Sequence, residues 1–136
     1  MRYLAVDHGN RRTGLAICDP DETIVSPLAV LKERESLAGR IAEIAQAEGA
    51  GAVVLGLPLN MDGSEGGQAR LVRRFAEALK AKTDVPVYFQ DERLSSFGAE
   101  EKLRAAGMSR KKQAERLDAI AATEILTAFL ESKRVQ

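Results

Sequence analysis

The sequence predicts an α/β domain built on a mixed five-stranded sheet that is flanked by helices. Two observations predict it. Three short extended stretches, separated by turn residues, occupy the first 31 positions with no helical period between them. From residue 36 onward, segments with a helical period alternate with two short apolar segments. Consecutive strands joined by short turns are expected to pair antiparallel, whereas strands joined through helices are expected to be parallel.

The first two strands are predicted at residues 3–7 and 13–19, with a turn of Gly, Asn and Arg between them. A third extended stretch covers roughly 23–31. Pro27 lies within it and lacks a backbone N–H, so this strand should be an edge strand or carry a bulge.

A helix is predicted from Ser36, with Gly49 as its stop signal. Its apolar face consists of Leu37, Ile41, Ile44 and Ala45. Residues 52–56 form a short, fully apolar segment that is typical of a buried parallel strand.

The second half of the chain continues this alternation. A polar loop at 60–67 leads into a helix whose apolar face carries Leu71, Val72, Phe75 and Leu79. The last strand, 86–90, ends at Asp91 and Glu92, and a short helix near 98–106 precedes a long one from about 110 to 133. The predicted order is β-β-β-α-β-α-β-α-α in a single domain over residues 1–136.

Composition narrows the class of protein. Hydrophobic residues make up 45% and charged residues 29%, which is ordinary for a globular domain. No secretory signal and no apolar run long enough to span a membrane are present, so a cytoplasmic protein is expected. The single cysteine, Cys18, excludes a disulfide framework within the chain, and we interpret it as a small apolar strand residue.

Charge does not by itself predict a nucleic-acid partner, because 20 basic residues balance 20 acidic ones. Binding would have to depend on local clusters, and each cluster could equally be a solvated face. The clusters are Arg11-Arg12, then Arg70, Arg73 and Arg74, then Arg110-Lys111-Lys112.

Three carboxylates occupy positions that a purely structural residue would not favour. Asp7 ends an apolar strand next to Gly9, which permits a tight turn and close approach of a ligand. It could also be an ordinary hairpin residue. Glu92 follows the last strand, where ligand sites form in open α/β sheets, and the alternation of side chains should aim Asp91 at the opposite face.

Asp118 is the third such carboxylate. On a helical wheel it falls within the apolar arc of the last helix, beside small alanines that would let the helix pack close to the sheet. A carboxylate there is costly unless it binds a metal or pairs with a cation, so a salt bridge to an arginine is the alternative. A set of oxygen ligands without thiolates favours Mg²⁺ or Mn²⁺. His8 should point to the other side of its strand and serve in packing.

Four segments together resemble the YqgF family of pre-16S rRNA nucleases and Holliday junction resolvase-like proteins, within the RNase H-like (RuvC-like) superfamily. They are Asp7-His8-Gly9 with Arg12 and Gly14, then residues 57–64 (LPLNMDGS), then residues 91–96 (DERLSS), then residues 118–122 (DAIAA). The resemblance covers essentially the whole chain. Ser96, where the family often has threonine, is a small departure.

The resemblance implies an RNase H-like fold and a divalent-metal-dependent nuclease whose acidic residues match Asp7, Glu92 and Asp118. It implies two-metal hydrolysis of phosphodiester bonds, with ions about 3.5–4 Å apart. The expected partner is precursor RNA or branched DNA, bound by a monomer or a homodimer. Candidate substrate contacts are Arg11, Arg12, Asn60, Asp62, Gly63, Ser64, Arg93, Arg110, Lys111 and Lys112.

Two alternatives remain open. An actin-like or sugar-kinase ATPase also begins with an Asp-x-Gly hairpin, but it needs two lobes around its nucleotide. The second is a non-catalytic module on the same fold, which would bind nucleic acid or protein without cleaving phosphodiester bonds. For the loop at 60–67, a phosphate grip and a plain connection with Ser64 as helix cap are equally compatible with the sequence.

Overall fold

The computed structural model describes residues 1–93 and 109–134, except for the side chains of residues 110, 111 and 113–115. The predicted short helix near 98–106 lies outside this range, and so do Ser95 and Ser96. The strands are β1 (Tyr3–His8), β2 (Thr13–Cys18), β3 (Val25–Leu31), β4 (Ala52–Leu57) and β5 (Val87–Asp91). The helices are α1 (Leu37–Ala47), α2 (Gly67–Lys80) and α3 (Arg110–Arg134).

The described strands form one five-stranded sheet in the order β3-β2-β1-β4-β5. The pairs β1–β2 and β2–β3 are antiparallel, whereas β4 runs parallel to both β1 and β5. The predicted mixed sheet is therefore confirmed. The carboxyl ends of β1, β4 and β5 meet at one edge, and the candidate site is built there.

Helices cover both faces of the sheet. Side chains such as Leu4 and Val6 pack with α1 and α2 on one face, whereas Ala5, Ala16 and Val54 pack with α3 on the other. Each strand alternates between the two cores because successive side chains point to opposite sides. Within the described residues, no helix is long and apolar enough to cross a membrane.

The third strand satisfies both expectations raised by its proline. β3 is an edge strand, and its pairing with β2 shifts between Leu15 and Ala16, which lie opposite Ala29 and Pro27. Leu28, which lies between these two partners, is the extra residue of the bulge. The strand begins at Val25, two residues later than predicted.

The predicted apolar face is correct for helix α1 and partly wrong for helix α2. Helix α1 buries Leu37, Ile41 and Ala45, and Gly49 after its end has φ of 68°. In α2, Leu71 is 42% exposed, so its assignment to the apolar face is wrong. The helix instead buries its small residues Ala69 and Ala76 along with larger ones, because alanines let its backbone lie closer to the sheet.

Helix α3 lies unusually close to β2. A Cβ atom added to Gly14 would collide with the carbonyl of Asp118 in α3. Beside this contact, Ala16 and Ala122 are fully buried. Small residues on both elements therefore allow the close approach that brings Asp118 to the edge of the sheet.

Candidate active site

Asp7 and Glu92 lie on the same face of the sheet, at the ends of β1 and β5. Asp7 continues the alternation of Tyr3 and Ala5, which face α3. On β5, Asp91 pairs in register with Leu57, whose side chain belongs to the opposite core, so the next residue, Glu92, turns towards α3. The Glu92 amide donates a hydrogen bond of 3.2 Å to the Leu57 carbonyl and fixes the backbone there.

Asp7 and Glu92 are joined by a hydrogen bond between their carboxyl groups. Burial, the charge of Asp7 and a hydrogen bond to Asp7 raise the pKa of Glu92 to about 8. Burial and the negative charge of Asp118 raise the pKa of Asp7 to about 6, opposed by the same hydrogen bond. At neutral pH, Glu92 therefore carries the proton and donates it to the carboxylate of Asp7.

Asp118 stands above this pair on α3. Its charge reaches Asp7, but one of its oxygens is occupied, because the Arg12 Nε donates a hydrogen bond of 2.7 Å to Asp118 Oδ2. Both side chains are 27% exposed. The structure thus contains the arginine salt bridge that the sequence left open, and Arg12 is the partner.

Gly56 provides room for the site from β4. A Cβ at this position would lie 2.7 Å from the Glu92 carboxyl carbon and would also collide with Ile125 of α3. This role of Gly56 was not predicted from the sequence. The available signal was a glycine inside an otherwise apolar strand, which often marks a close approach.

A cavity of about 280 Å³ opens beside Glu92, between the end of β5 and α3. Glu124 lines this cavity together with Ala121 and Ile125, and its charge contributes to raising the pKa of Glu92. Sequence reasoning missed Glu124, since nothing in the pattern of α3 separates it from an ordinary surface acid.

Arg93 is held beside the site by its own strand end. Its Nε and its backbone N–H each donate a hydrogen bond of 2.8 Å to Asp91, and its guanidinium also reaches the Met61 carbonyl at 3.4 Å. The hydrogen bond to Arg93 lowers the pKa of Asp91. Asp91 thus points away from Glu92, as predicted. Arg93 connects the end of β5 to the loop after β4, and its contact with substrate stays a prediction.

That loop is a tight turn held by its own polar side chains. Asn60 donates to the Ser64 hydroxyl at 3.0 Å, and the hydroxyl donates to Asp62 at 2.6 Å. Gly63 has φ of 87°, a conformation that favours glycine. Ser64 does not cap α2, whose N-cap is Gly66 without a side-chain hydrogen bond, so the cap interpretation is wrong. Phosphate binding by the loop stays a prediction.

The remaining predicted contacts lie around the same edge. Arg11 is exposed on the β1–β2 hairpin, and Lys112 is exposed in the first turn of α3. The side chains of Arg110 and Lys111 lie outside the described residues. His8 stacks on Phe75 at 4.6 Å on the opposite face, where burial lowers its pKa, so its predicted packing role is confirmed.

The donor chemistry of the trio fits a hard divalent cation, because all three side chains offer carboxylate oxygens. Within residues 1–93 and 109–134, no three acidic, imidazole or thiol groups are arranged to surround an ion. The reason lies in the contacts above: Glu92 is hydrogen-bonded to Asp7, and Asp118 is turned to Arg12. The residues fit such an ion in the chemistry of their donor atoms.

Comparison with known proteins identifies the family. The family model described as "RuvX: Holliday junction resolvase" matches residues 1–132. The chain belongs to the RuvX family. A relative from Anaeromyxobacter dehalogenans strain 2CP-1 is 47% identical, and the match covers 98% of each chain. One from Maridesulfovibrio salexigens is 40% identical over 96% of this chain and 98% of its own. Both carry the name "Putative pre-16S rRNA nuclease".

Two solved structures of resolvases have a similar architecture. Thermus thermophilus RuvC in complex with Holliday junction substrate aligns with a TM-score of 0.59 at 17% identity, covering 98% of this chain and 96% of that one. Fowlpox virus resolvase in complex with Holliday junction DNA also gives 0.59, at 12% identity, covering 97% and 98%. At such identities the likeness establishes the fold, which is that of the RuvC-like resolvases.

Proposed function

We propose that this RuvX-family chain is a divalent-metal-dependent endonuclease that hydrolyses phosphodiester bonds at Asp7, Glu92 and Asp118. The observation that carries the proposal is the hydrogen-bonded pair of half-buried carboxyls, Asp7 and Glu92, with the Asp118 carboxylate close enough for its charge to act on Asp7, at the carboxyl edge of the sheet. Burying such a group is costly, and a bound cation would compensate for that cost. Membership of a family named for nucleic-acid cleavage supports it.

Asp7, Glu92 and Asp118 would hold one or two Mg²⁺ or Mn²⁺ ions. Such ions supply an activated water and stabilise the leaving oxygen of a phosphodiester. The chain's own part is to orient the ligands. Asp7 and Glu92 would bind as carboxylates, and Gly56 leaves the space that the Glu92 carboxyl group occupies beside Ile125.

Two substrate classes follow from the relatives' names. The curated relatives point to precursor 16S rRNA, and the family description points to the four-way DNA junction. Resolving a junction requires two sites on opposite strands, hence a symmetric dimer, whereas trimming a precursor RNA does not. We propose that the chain cleaves structured nucleic acid, with ribosomal precursor RNA in the cytoplasm as its first candidate.

The decisive experiment compares cleavage of a 16S rRNA precursor fragment, a single-stranded DNA and a four-way junction, with Mg²⁺, Mn²⁺ or EDTA. We expect metal-dependent cleavage of at least one substrate, with mapped product ends. Asp7→Asn should abolish it. Asp21→Asn removes an equal charge from an exposed position beyond β2, outside the candidate site, and should leave it intact. Cleavage that survives Asp7→Asn, or substrate binding without any cleavage by the native chain, would favour the non-catalytic module.

A further inference from the structure

We propose that Arg12 couples nucleic-acid binding to metal binding. In the free protein it pairs with Asp118. A substrate phosphate draws it away, and the carboxylate then becomes available to a divalent ion. The proposal rests on the proposed nuclease function and assigns Arg12 the role of a positioning residue within it.

The Arg12–Asp118 pair has a geometry that suits an exchange of partners. The 2.7 Å hydrogen bond between Arg12 Nε and Asp118 Oδ2 occupies one oxygen of the only carboxylate of the trio that α3 supplies. Both side chains keep 27% of their surface exposed, so the contact is accessible to an incoming phosphate. An arginine guanidinium prefers a phosphate or carboxylate acceptor in planar, two-pronged geometry, so it can exchange one for the other.

Close backbone packing leaves the side chains of Arg12 and Asp118 as the parts best able to adjust. The Gly9 N–H donates to the Arg12 carbonyl at 3.1 Å, and a Cβ on Gly9 would collide with that carbonyl. A Cβ on Gly14 would collide with the carbonyl of Asp118. The hairpin and α3 are therefore packed backbone to backbone at Gly14, which leaves little room for the two elements to move closer together. What changes between the paired and unpaired states is the direction of two side chains.

Charge acts in the same direction as the geometry. Asp7 and Asp118 are two carboxylates of one site whose negative charges repel each other. The positive charge of Arg12 opposes this repulsion in the absence of a metal. A divalent ion and Arg12 thus compete for Asp118, while nucleic acid and Asp118 compete for Arg12. By thermodynamic linkage, nucleic acid and metal then increase each other's affinity.

The first test measures Mn²⁺ binding by calorimetry in the absence of nucleic acid. Removing the competitor with Arg12→Gln should tighten Mn²⁺ binding by about tenfold. The matched control, Arg11→Gln, removes the same charge from the adjacent exposed side chain and should change it by less than about threefold. If Arg12→Gln weakens Mn²⁺ binding, or matches the control, the competition is overturned.

The second test needs no metal. In EDTA, Asp118→Asn should release Arg12 to a phosphate of a four-way DNA junction, so the slope of log K against log salt should steepen by about 0.7–0.9. In an Arg12→Gln background, adding Asp118→Asn should not steepen the salt slope, because the released arginine is absent. In an Arg11→Gln background, adding Asp118→Asn should steepen the slope as much as it does in the native chain. An increase that persists without Arg12 would show a general charge effect and would overturn the proposal.

The two proposals fail in different ways. A native chain that cleaves in Mg²⁺, with Arg12→Gln and Arg11→Gln equal in Mn²⁺ affinity, would refute the coupling and leave the nuclease in place. A native chain that binds no Mn²⁺ would refute both.

Discussion

At the scale of single residues, the raised pKa of Glu92 has a measurable consequence for the stability of the protein. A carboxyl group whose pKa is raised by folding stabilises the folded state below its unfolded pKa, near 4.5, and that stability is lost as the pH rises through about 8. The metal-free protein should therefore lose stability between about pH 5 and pH 8, in addition to any other titration. Metal binding in this range should release a proton.

Glu92→Gln should remove this dependence, because a neutral amide can donate to Asp7 at any pH. We expect the loss of unfolding free energy between pH 5 and pH 8, measured by urea denaturation in EDTA, to shrink by on the order of 2 kcal/mol. Asp91→Asn is the control, since the pKa of Asp91 is lowered and its contribution is lost only as the pH falls. If Glu92→Gln loses as much unfolding free energy between pH 5 and pH 8 as the native chain, Glu92 is ionised in the metal-free protein.

The sequence predicts the members of the site but not their contacts. The alternation of side chains along β5 is enough to predict that Glu92 lies on the same face of the sheet as Asp7. It also predicts that Asp91 lies on the opposite face. The pairing of Arg12 with Asp118 joins residues 106 positions apart, and it depends on how α3 crosses the hairpin. No local pattern encodes that crossing. The sequence therefore predicted a salt bridge from Asp118 to some arginine as the alternative to metal binding, without indicating which arginine.

At the scale of elements, the packing of α3 on β2 determines where Asp118 stands. Gly14→Ala should force the two backbones apart, because its Cβ would collide with the carbonyl of Asp118. We expect a loss of about 2–4 kcal/mol in unfolding free energy, as for other forced insertions into tight packing. Mn²⁺ affinity should also fall, since Asp118 would move with the helix.

Gly39→Ala is the matched control, because Gly39 lies in α1 and a Cβ there meets nothing within 4 Å. Alanine is the better helix former, so this variant should gain about 0.5–1 kcal/mol and bind Mn²⁺ like the native chain. Thermal and urea unfolding of both variants would test the pair. A Gly14→Ala protein as stable as the native chain would mean that α3 has room to shift.

Element boundaries show the same division between local and tertiary signals. The bulge and edge position of β3 follow from one proline, and the end of α1 follows from one glycine, so both could be predicted. The exposed Leu71 could not, because the orientation of α2 depends on which side chains its neighbours accommodate. Gly56 was missed for a related reason: its function is the space it leaves for Glu92 and Ile125.

For the whole molecule, net charge is zero, so any attraction for nucleic acid must come from an uneven distribution of charges. One basic cluster is partly neutralised internally, because Arg73 forms a two-pronged salt bridge with Glu65 and lies over the Phe89 ring. Helix α3 begins at Arg110, eight residues before Asp118. At about 1.5 Å per residue, the helix therefore begins about 12 Å along its axis from Asp118, and we expect the cations of its first turn to contact phosphates that flank the bond held at the site.

Replacing Arg110, Lys111 and Lys112 with alanine should therefore weaken RNA and DNA binding and flatten the slope of log K against log salt by up to about two to three units. Because phosphate contacts carry little sequence information, the mapped cleavage position should not change. The control removes Arg74, Lys80 and Lys82, an equal charge from α2 and the turn after it, and should leave the slope within about half a unit. Equal effects of the two triple variants would mean that binding responds only to total charge. An unchanged slope in the first would show that the start of α3 is a solvated surface and that nucleic acid binds elsewhere.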